Sequence, residues 1–384
     1  MKVINRSMYN LAIRETGIVK LCVLLMCISS ILQSSMIFGT WTILINACKY
    51  LIPVLGVLVL ILKLRKSTKN NLRTLAIECM MCVLIVLTCL QTGDYSYLLV
   101  CIIMLMSRNL SIHDFVKISY KTLVVLGGVH ISAWFLNCII NIGFPVYYQV
   151  SEKRISFLFT HPNIATIKIG WGIIMYIWLQ WEKLTRKKLL GCYIVAITLY
   201  WTTKSDACII LLLFLILVQL RKNQLIHNLA ICISKYSFFI LGALNFAFAR
   251  LYIGCGYLTI LARKIDALFN RRLAMAYLAI QDNGLSLCGQ PITKLHKWNS
   301  LFNFGNYTID SLYIYFYVCI GIVYFFLISI GFYKIGKKYK DYRAAILILT
   351  FSLYSMVEVH CLYLSNCFAL LLLKCVIFRN QEIK

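Results

Sequence analysis

Long apolar runs alternate with short polar segments along the whole chain. A helix needs about 20 apolar residues to cross the roughly 30 Å hydrocarbon core of a bilayer. The runs are continuous, whereas barrel strands alternate apolar and polar residues over about ten positions. They predict about twelve transmembrane helices, over residues 18–38, 41–62, 74–90, 95–106, 122–142, 162–181, 189–203, 206–220, 236–253, 309–333, 344–359 and 362–378.

One polar interruption is much longer than the others and covers residues 254–308. Loops of this length are usually functional or disordered. Residues 268–280 within it have apolar positions at three- and four-residue spacing, which predicts an amphipathic helix on the outer membrane surface. The Asp282-Asn-Gly284 sequence after it predicts a turn.

Composition supports a membrane protein, because 61% of the 384 residues are hydrophobic and only 14% are charged. A soluble domain is near half apolar and about a quarter charged. We therefore expect an all-α, polytopic transmembrane helical bundle. Residues 1–384 would form a single integral membrane domain, with the large extracytoplasmic loop over residues 254–308 inside it. The first run is too long for the core of a secretory signal, so we expect it to be the first span.

The net charge of +26 fits membrane topology better than nucleic-acid binding, because the basic residues lie between the apolar runs. If both termini are cytoplasmic, the inner segments hold 26 of the 39 lysines and arginines and the outer segments hold ten. This bias follows the positive-inside rule. We count Lys374 with the inner group, because a lysine near a helix end can extend to the interface.

The 17 cysteines lie mostly inside apolar runs, where cysteine behaves as a small apolar residue. Cys79 and Cys82 have the spacing of zinc ligands, but no second pair accompanies them. We expect no metal site. Cys255 and Cys288 share the long loop, and whether they pair stays open.

The segment before the sixth predicted span carries the first candidate site. Pro162 suits the first position of a helix. The free N–H groups of that helix start favour an anion, and Arg154 can bind a phosphate through two hydrogen bonds. His161 can hold or take a proton. The alternative is an ordinary capped helix start with interfacial residues.

Three further groups lie on the predicted outer side. The turn Thr202-Thr-Lys-Ser-Asp206 joins two short spans, so it either sits below the membrane surface near a cavity or forms a local ion pair on a thinned bilayer. Arg271 and Arg272 either face a cavity or attract lipid headgroups. Asp310 either caps the tenth span or acts as a base. Glu358, His360 and Lys168 are weaker candidates.

The order of these groups resembles the bacterial polysaccharide polymerases of capsule, exopolysaccharide and O-antigen synthesis, which are related to the O-antigen ligases. The similarity is strongest between residues 154 and 324. Arg154 and Phe159-Thr-His-Pro-Asn163 resemble the family's first motif, and Thr203-Lys-Ser-Asp206 its outer turn. Asn270-Arg-Arg272, Asp310-Ser-Leu-Tyr313 and Gly321-Ile-Val323 resemble its later motifs. Asp206 departs from the pattern, because the family usually has arginine there.

This resemblance implies polymerisation of undecaprenyl-diphosphate-linked oligosaccharide repeat units on the outer face of the bacterial cytoplasmic membrane. Cations would bind the diphosphate and glycan, and a base would activate the acceptor hydroxyl. The implied catalytic residues are His161, Asp310 and Arg154. The implied substrate-binding residues are Arg154, Asn163, Lys204, Arg271 and Arg272.

We expect the enzyme to be independent of metals and cofactors. Its expected partners are the lipid-linked oligosaccharides, membrane lipids and the chain-length regulator and flippase of the same pathway, with no nucleic acid. The alternatives are an O-antigen-ligase-like glycan transferase and a lipid-linked oligosaccharide flippase or transporter. No internal repeat is visible, which disfavours a transporter built from inverted halves.

Overall fold

A computed structural model describes residues 2–65, 72–140, 154–254, 256–268, 270–292 and 309–378. These residues are mainly helical, and the one β-type contact among them is a single bridge between Ser35 and Phe159. The helices are α1 (Lys2–Gln33), α2 (Thr42–Arg65), α3 (Leu72–Thr92), α4 (Ser96–Met106), α5 (Ile112–Ile140), α6 (Pro162–Leu179), α7 (Arg186–Thr203), α8 (Ala207–Gln219), α9 (Gln224–Arg250), α10 (Tyr257–Leu268), α11 (Arg272–Asn283), α12 (Leu312–Tyr315), α13 (Ile322–Lys338), α14 (Tyr342–Val357) and α15 (Lys374–Ile377).

Four helical stretches in the described part of the chain are long and apolar enough to cross a membrane: Glu15–Gln33, Thr42–Val59, Ile112–Ile140 and Gln224–Arg250. Shorter apolar helices cover Glu78–Thr92, Ser96–Asn109 and Tyr342–Val357. Large apolar side chains stay exposed on the long helices, for example Ile43 at 87% and Val54 at 64% on α2. Exposed apolar faces of this extent mark contact with lipid or protein. The all-helical prediction is confirmed, and the four long apolar stretches are compatible with a membrane protein. The count of twelve spans stays a prediction.

The chain divides into two compact units. The first contains residues 1–82 and 99–212, and the second contains residues 83–98 and 213–383. In the first unit α1 packs on α2 and α5, and α6 packs between α5 and α7. In the second unit α9 packs on α13 and α14, and α11 lies against α9.

Two of the predicted spans are not continuous helices. Over residues 309–333, α12 continues into a π-helical turn, Phe316–Ile320, and then breaks at Gly321 before α13 begins. The predicted span over residues 362–378 begins at the end of a 3₁₀ turn, Val359–Leu362, and contains a second 3₁₀ turn, Ala369–Leu373, and the four-residue α15. Lys374 is buried at 1% exposure instead of extending to an interface.

A segment of the long loop explains the break at Gly321. Ser286 donates its N–H to Tyr317 O at 2.8 Å and accepts from Ile322 N at 2.9 Å, and Gln290 N donates to Cys319 O at 3.0 Å. These bonds satisfy backbone groups that an unbroken helix would pair internally. Gly321 has φ +123°, and a Cβ there would lie 2.3 Å from Leu287 O, so only glycine fits.

The amphipathic helix predicted over residues 268–280 is wrong at its start. Asn270 and Arg271 have positive φ, 50° and 62°, and separate α10 from α11. The apolar side of α11, including Leu273 and Ile280, is buried within the second unit. The exposed apolar residues lie instead on α10, at Tyr257, Leu258 and Ile260. The turn predicted at Asp282-Asn-Gly284 is correct only at its last residue, because Asp282 and Asn283 still belong to α11 and the helix ends at Gly284, with φ +74°.

Candidate functional site

The start of α6 lies where the sequence predicts it. Pro162 is its first residue, and the extended His161 is its N-cap. The imidazole Nδ1 of His161 accepts the backbone N–H of Asn163 at 3.1 Å. In the neutral ring the proton is then on Nε2, so His161 presents a donor. This geometry disfavours His161 as the base, since its acceptor nitrogen already caps the helix.

Arg154 joins this helix start to the end of α7. Its Nε donates to Thr203 O at 2.6 Å, and its Nη2 donates to Asn163 Oδ1 at 2.6 Å. Next to it, Ile155 N donates to Thr202 O at 2.9 Å, and Thr166 Oγ1 donates to Thr203 Oγ1 at 2.9 Å. We call Arg154, His161, Asn163 and Thr203 the Arg154 cluster. The first two motifs of the resemblance thus meet in one hydrogen-bonded group within the first unit.

The turn after α7 has the predicted position. Lys204 adopts the left-handed conformation, φ 47°, and its N–H donates to Tyr200 O at 2.7 Å, which ends the helix. The Lys204 side chain is exposed, and Asp206 is partly exposed one residue before α8. Lys204 is therefore accessible to a ligand, whereas the depth of the turn in the membrane stays a prediction.

The segment Phe157–Thr160 is held by residues that follow α1 and by α5. Met36 N donates to Leu158 O at 2.8 Å, and Thr160 N donates to Ser34 O at 2.9 Å. Phe159 stacks on the imidazole of His130, with ring centroids 4.7 Å apart and planes 7° apart. Sequence reasoning missed His130, although a histidine in the middle of an apolar span is a signal for function.

The second group of candidates lies in the second unit, where the structure separates the two adjacent arginines. Arg271 is exposed, whereas the Arg272 side chain is only 10% exposed and its Nε lies 3.6 Å from Asp310 Oδ2. Asp310 does not cap a helix, because Ser311 is the N-cap residue of α12. Arg272 is therefore the arginine of the two that forms an ion pair with Asp310.

Asp266 of α10 positions Arg272. Its Oδ1 accepts the Leu273 N–H at 2.6 Å, and its carbonyl accepts the Arg271 N–H at 3.1 Å. These bonds satisfy the first N–H groups of α11, where Arg272 is the first residue. Burial raises the pKa of the Asp266 carboxyl, and the hydrogen bonds from Leu273, Tyr252 and Ala274 offset part of the rise. Sequence reasoning missed this residue, because its contact depends on the break between α10 and α11.

Two further residues stand beside the pair. Glu358 is buried and interacts electrostatically with both Asp310 and Arg272. Its Oε1 accepts the His360 N–H at 3.3 Å and lies 3.9 Å from His360 Nε2. We call Arg272, Asp310, Glu358 and His360 the Arg272 cluster. It brings two carboxylates close to one arginine.

No protein-family model, curated protein or solved structure matches this chain.

The cysteine and metal hypotheses have separate outcomes. Among the described residues, no group of three or more histidine, cysteine, aspartate or glutamate side chains could hold a metal ion. Cys79 is exposed and Cys82 partly exposed on α3. Cys255 lies outside the described residues, so its pairing with Cys288 stays untested. Metal independence likewise stays a prediction.

The described geometry supports different chemistry in the two clusters. The Arg154 cluster offers a guanidinium at the start of α6, where the helix dipole favours an anion. The Arg272 cluster offers a partly exposed carboxylate, Asp310, beside an arginine and a second carboxylate. Lys168, a weaker candidate, is buried on α6.

Proposed function

We propose that the protein is a lipid-carrier-dependent glycosyltransferase that polymerises undecaprenyl-diphosphate-linked oligosaccharide repeat units. The product is a capsular, exopolysaccharide or O-antigen chain. The reaction takes place on the outer face of the bacterial cytoplasmic membrane, and both termini are cytoplasmic.

One observation carries the proposal. Arg154, Asn163 and Thr203 belong to two separate motifs of the resemblance, and they share hydrogen bonds in one cluster. An arginine fixed at a helix start, next to the exposed Lys204 turn, suits recognition of a diphosphate. Arg272 and Asp310 belong to two later motifs of the resemblance, and they too lie in contact with each other. This second contact between motifs supports the proposal in the same way.

The proposed reaction breaks one bond and forms one bond. The acceptor hydroxyl oxygen attacks the anomeric carbon of the donor glycan, and the bond from that carbon to the diphosphate oxygen breaks. The lipid diphosphate leaves with the electron pair, and cations stabilise its charge. The acceptor proton moves to a carboxylate. We assign diphosphate binding to Arg154 and Lys204, and proton acceptance to Asp310 in preference to His161, whose Nδ1 is engaged in capping.

The experiment is a deletion of the gene in the native host, with surface glycans and lipid-linked glycans separated by size on a gel. We expect single repeat units on the surface and no long chains. Plasmid-borne protein should restore long chains. Long chains that remain but are unattached would indicate a ligase, and lipid-linked units trapped inside the cell would indicate a flippase.

A second experiment tests the proposed topology. Single cysteines in place of the exposed Lys204 and Lys187, in a background with the native cysteines replaced, are treated with an impermeant thiol reagent on intact spheroplasts. The proposal expects labelling near Lys204 and protection near Lys187. The opposite pattern overturns the orientation.

A further inference from the structure

A buried ammonium group lies inside the first unit, below the Arg154 cluster. Lys168 on α6 is 2% exposed, and its Nζ donates to Ser30 Oγ of α1 at 2.6 Å. Among the described residues no carboxylate forms an ion pair with it. An ammonium group in apolar surroundings is strongly unfavourable unless its charge is paired, so this lysine favours an anionic ligand.

A buried imidazole stands near that ammonium. His130 of α5 is fully buried, and its Nδ1 donates to Leu126 O at 2.9 Å, because a carbonyl oxygen only accepts. Its Nε2 is buried and has no hydrogen-bond partner in the part of the chain that the structure describes. The ring lies within electrostatic range of the Lys168 ammonium. Two polar groups on adjacent helices thus have unused hydrogen-bonding capacity in the same region.

The surrounding sequence has one sign of charge. From residue 154 to residue 181 the chain contains Arg154, His161 and Lys168 and no aspartate or glutamate. The helix start at Pro162 adds the positive end of the α6 dipole, two turns from Lys168. Ser30 is only partly buried, whereas Lys168 and His130 are buried. These features favour an anion that offers several oxygens.

We propose that Lys168, Ser30 and His130 form an inner phosphate-binding subsite beneath the segment Phe157–Thr160. The Lys168 ammonium, which Ser30 Oγ holds in place, donates to phosphate oxygens. The His130 Nε2 donates when the ring is protonated and accepts from a phosphate hydroxyl when the ring is neutral. The identity of the ligand as a prenyl diphosphate rests on the proposed function, whereas phosphate binding does not.

The stacking of His130 on Phe159 connects this subsite to the Arg154 cluster. Phe159 is two residues before His161, and both belong to the same segment. A phosphate held by Lys168 therefore lies under the residues that start α6. The segment therefore has a positive side chain at two separate positions, Arg154 and Lys168.

The test measures binding to the purified, delipidated full-length protein in detergent. The probes are farnesyl diphosphate, short-chain phosphatidylglycerol and inorganic phosphate, and the readouts are dissociation constants and melting temperatures. We expect Lys168→Met to weaken binding at least about tenfold, the usual effect of removing a charged hydrogen-bond donor. The melting temperature of the ligand-free variant should stay equal or rise, since a buried unpaired charge is replaced by an apolar chain of similar length.

Two matched variants separate chemistry from packing. His130→Phe keeps a ring to stack on Phe159 but has no Nε2, and we expect about three- to tenfold weaker binding. Lys187→Met removes an exposed lysine elsewhere in the unit and should bind like the wild type. Wild-type affinity in both Lys168→Met and His130→Phe would overturn the proposal.

The probes also identify the source of the phosphate. Preference for farnesyl diphosphate supports a prenyl carrier, and equal binding of phosphatidylglycerol supports a lipid headgroup. The subsite and the proposed function fail separately. Loss of binding in Lys168→Met with no effect of gene deletion on polymer length keeps the subsite and removes the polymerase proposal. Loss of long polymer on gene deletion, together with wild-type binding in both Lys168→Met and His130→Phe, removes only the subsite.

Discussion

The Arg154 and Arg272 clusters each contain an arginine from a predicted motif, but they use it differently. Arg154 makes two hydrogen bonds of 2.6 Å, to a main-chain carbonyl and to a side-chain amide. Arg272 stands 3.6 Å from a carboxylate, which is longer than an ordinary hydrogen bond. The hydrogen bonds of Arg154 fix the start of α6 relative to the end of α7, whereas the contact between Arg272 and Asp310 is mainly electrostatic.

This difference teaches which variants test function and which test architecture. Removing Arg154 leaves Thr203 O and Asn163 Oδ1 without a donor, so the local backbone is affected together with any ligand. Removing the charge of Asp310 changes the electrostatics around Arg272 and leaves the helix caps in place. The second cluster therefore gives the cleaner measurement of chemistry.

The largest effect is expected for Arg154→Ala. We expect the loss of long polymer, because both the anion-binding guanidinium and the link between α6 and α7 disappear. Arg154→Lys should recover little, since an ammonium group cannot bridge Thr203 O and Asn163 Oδ1 as a planar guanidinium does. Polymer length on a gel, normalised to the amount of protein in the membrane, checks this. Full-length polymer from Arg154→Ala would show that the assigned role is wrong.

The next effect is expected for Asp310→Asn, which keeps the shape of the side chain and removes its basicity. We expect polymerisation to fall about a hundredfold or more, in the range of general-base contributions. The melting temperature should change little, because the Asp310 side chain is 35% exposed. His161→Asn is the matched variant, since asparagine is also a good N-cap residue. If His161→Asn loses activity and Asp310→Asn keeps it, the assignment of the base is reversed.

A smaller effect is expected for Asp266→Ala. Loss of the acceptor for Leu273 N should destabilise α11 by about 1 kcal/mol and displace Arg272. Asp266→Asn keeps an acceptor and should be close to the wild type. Thermal unfolding and polymerisation measured together separate the two variants.

The raised pKa of Asp266 adds a pH test to the same pair. The folded protein binds this proton more tightly than the unfolded chain does. The contribution of the group to stability is therefore greatest below the ordinary carboxyl pKa and falls as the pH rises through the folded pKa. Asp266→Asn should remove this slope. An unchanged slope would contradict the burial argument.

The smallest effect is expected for Lys204→Met. The side chain is exposed, and the left-handed turn depends on its backbone, so stability should not change. We expect a few-fold loss of affinity for a diphosphate, since an exposed cation contributes little in a screened environment. Binding at two salt concentrations checks this, and equal values for variant and wild type would remove Lys204 from the site.

The sequence by itself determined the all-helical class and several element ends. Continuous apolar runs permit helices, Pro162 set the first residue of α6, and Gly284 ended α11, because proline and glycine act through local backbone geometry. Local signals also placed Arg154, Asn163 and the Lys204 turn among the candidates, although they did not show that Arg154 bonds to Thr203.

Only the tertiary structure decided the rest. The break at Gly321 depends on hydrogen bonds from Ser286 and Gln290, which lie about 30 residues earlier in the chain. The choice of Arg272 over Arg271 depends on the cap that Asp266 provides. His130 and Lys168 became a candidate subsite because α5 and α6 bring their side chains into one buried region. Periodicity and local propensity describe one element at a time, so contacts between distant segments are outside what they determine.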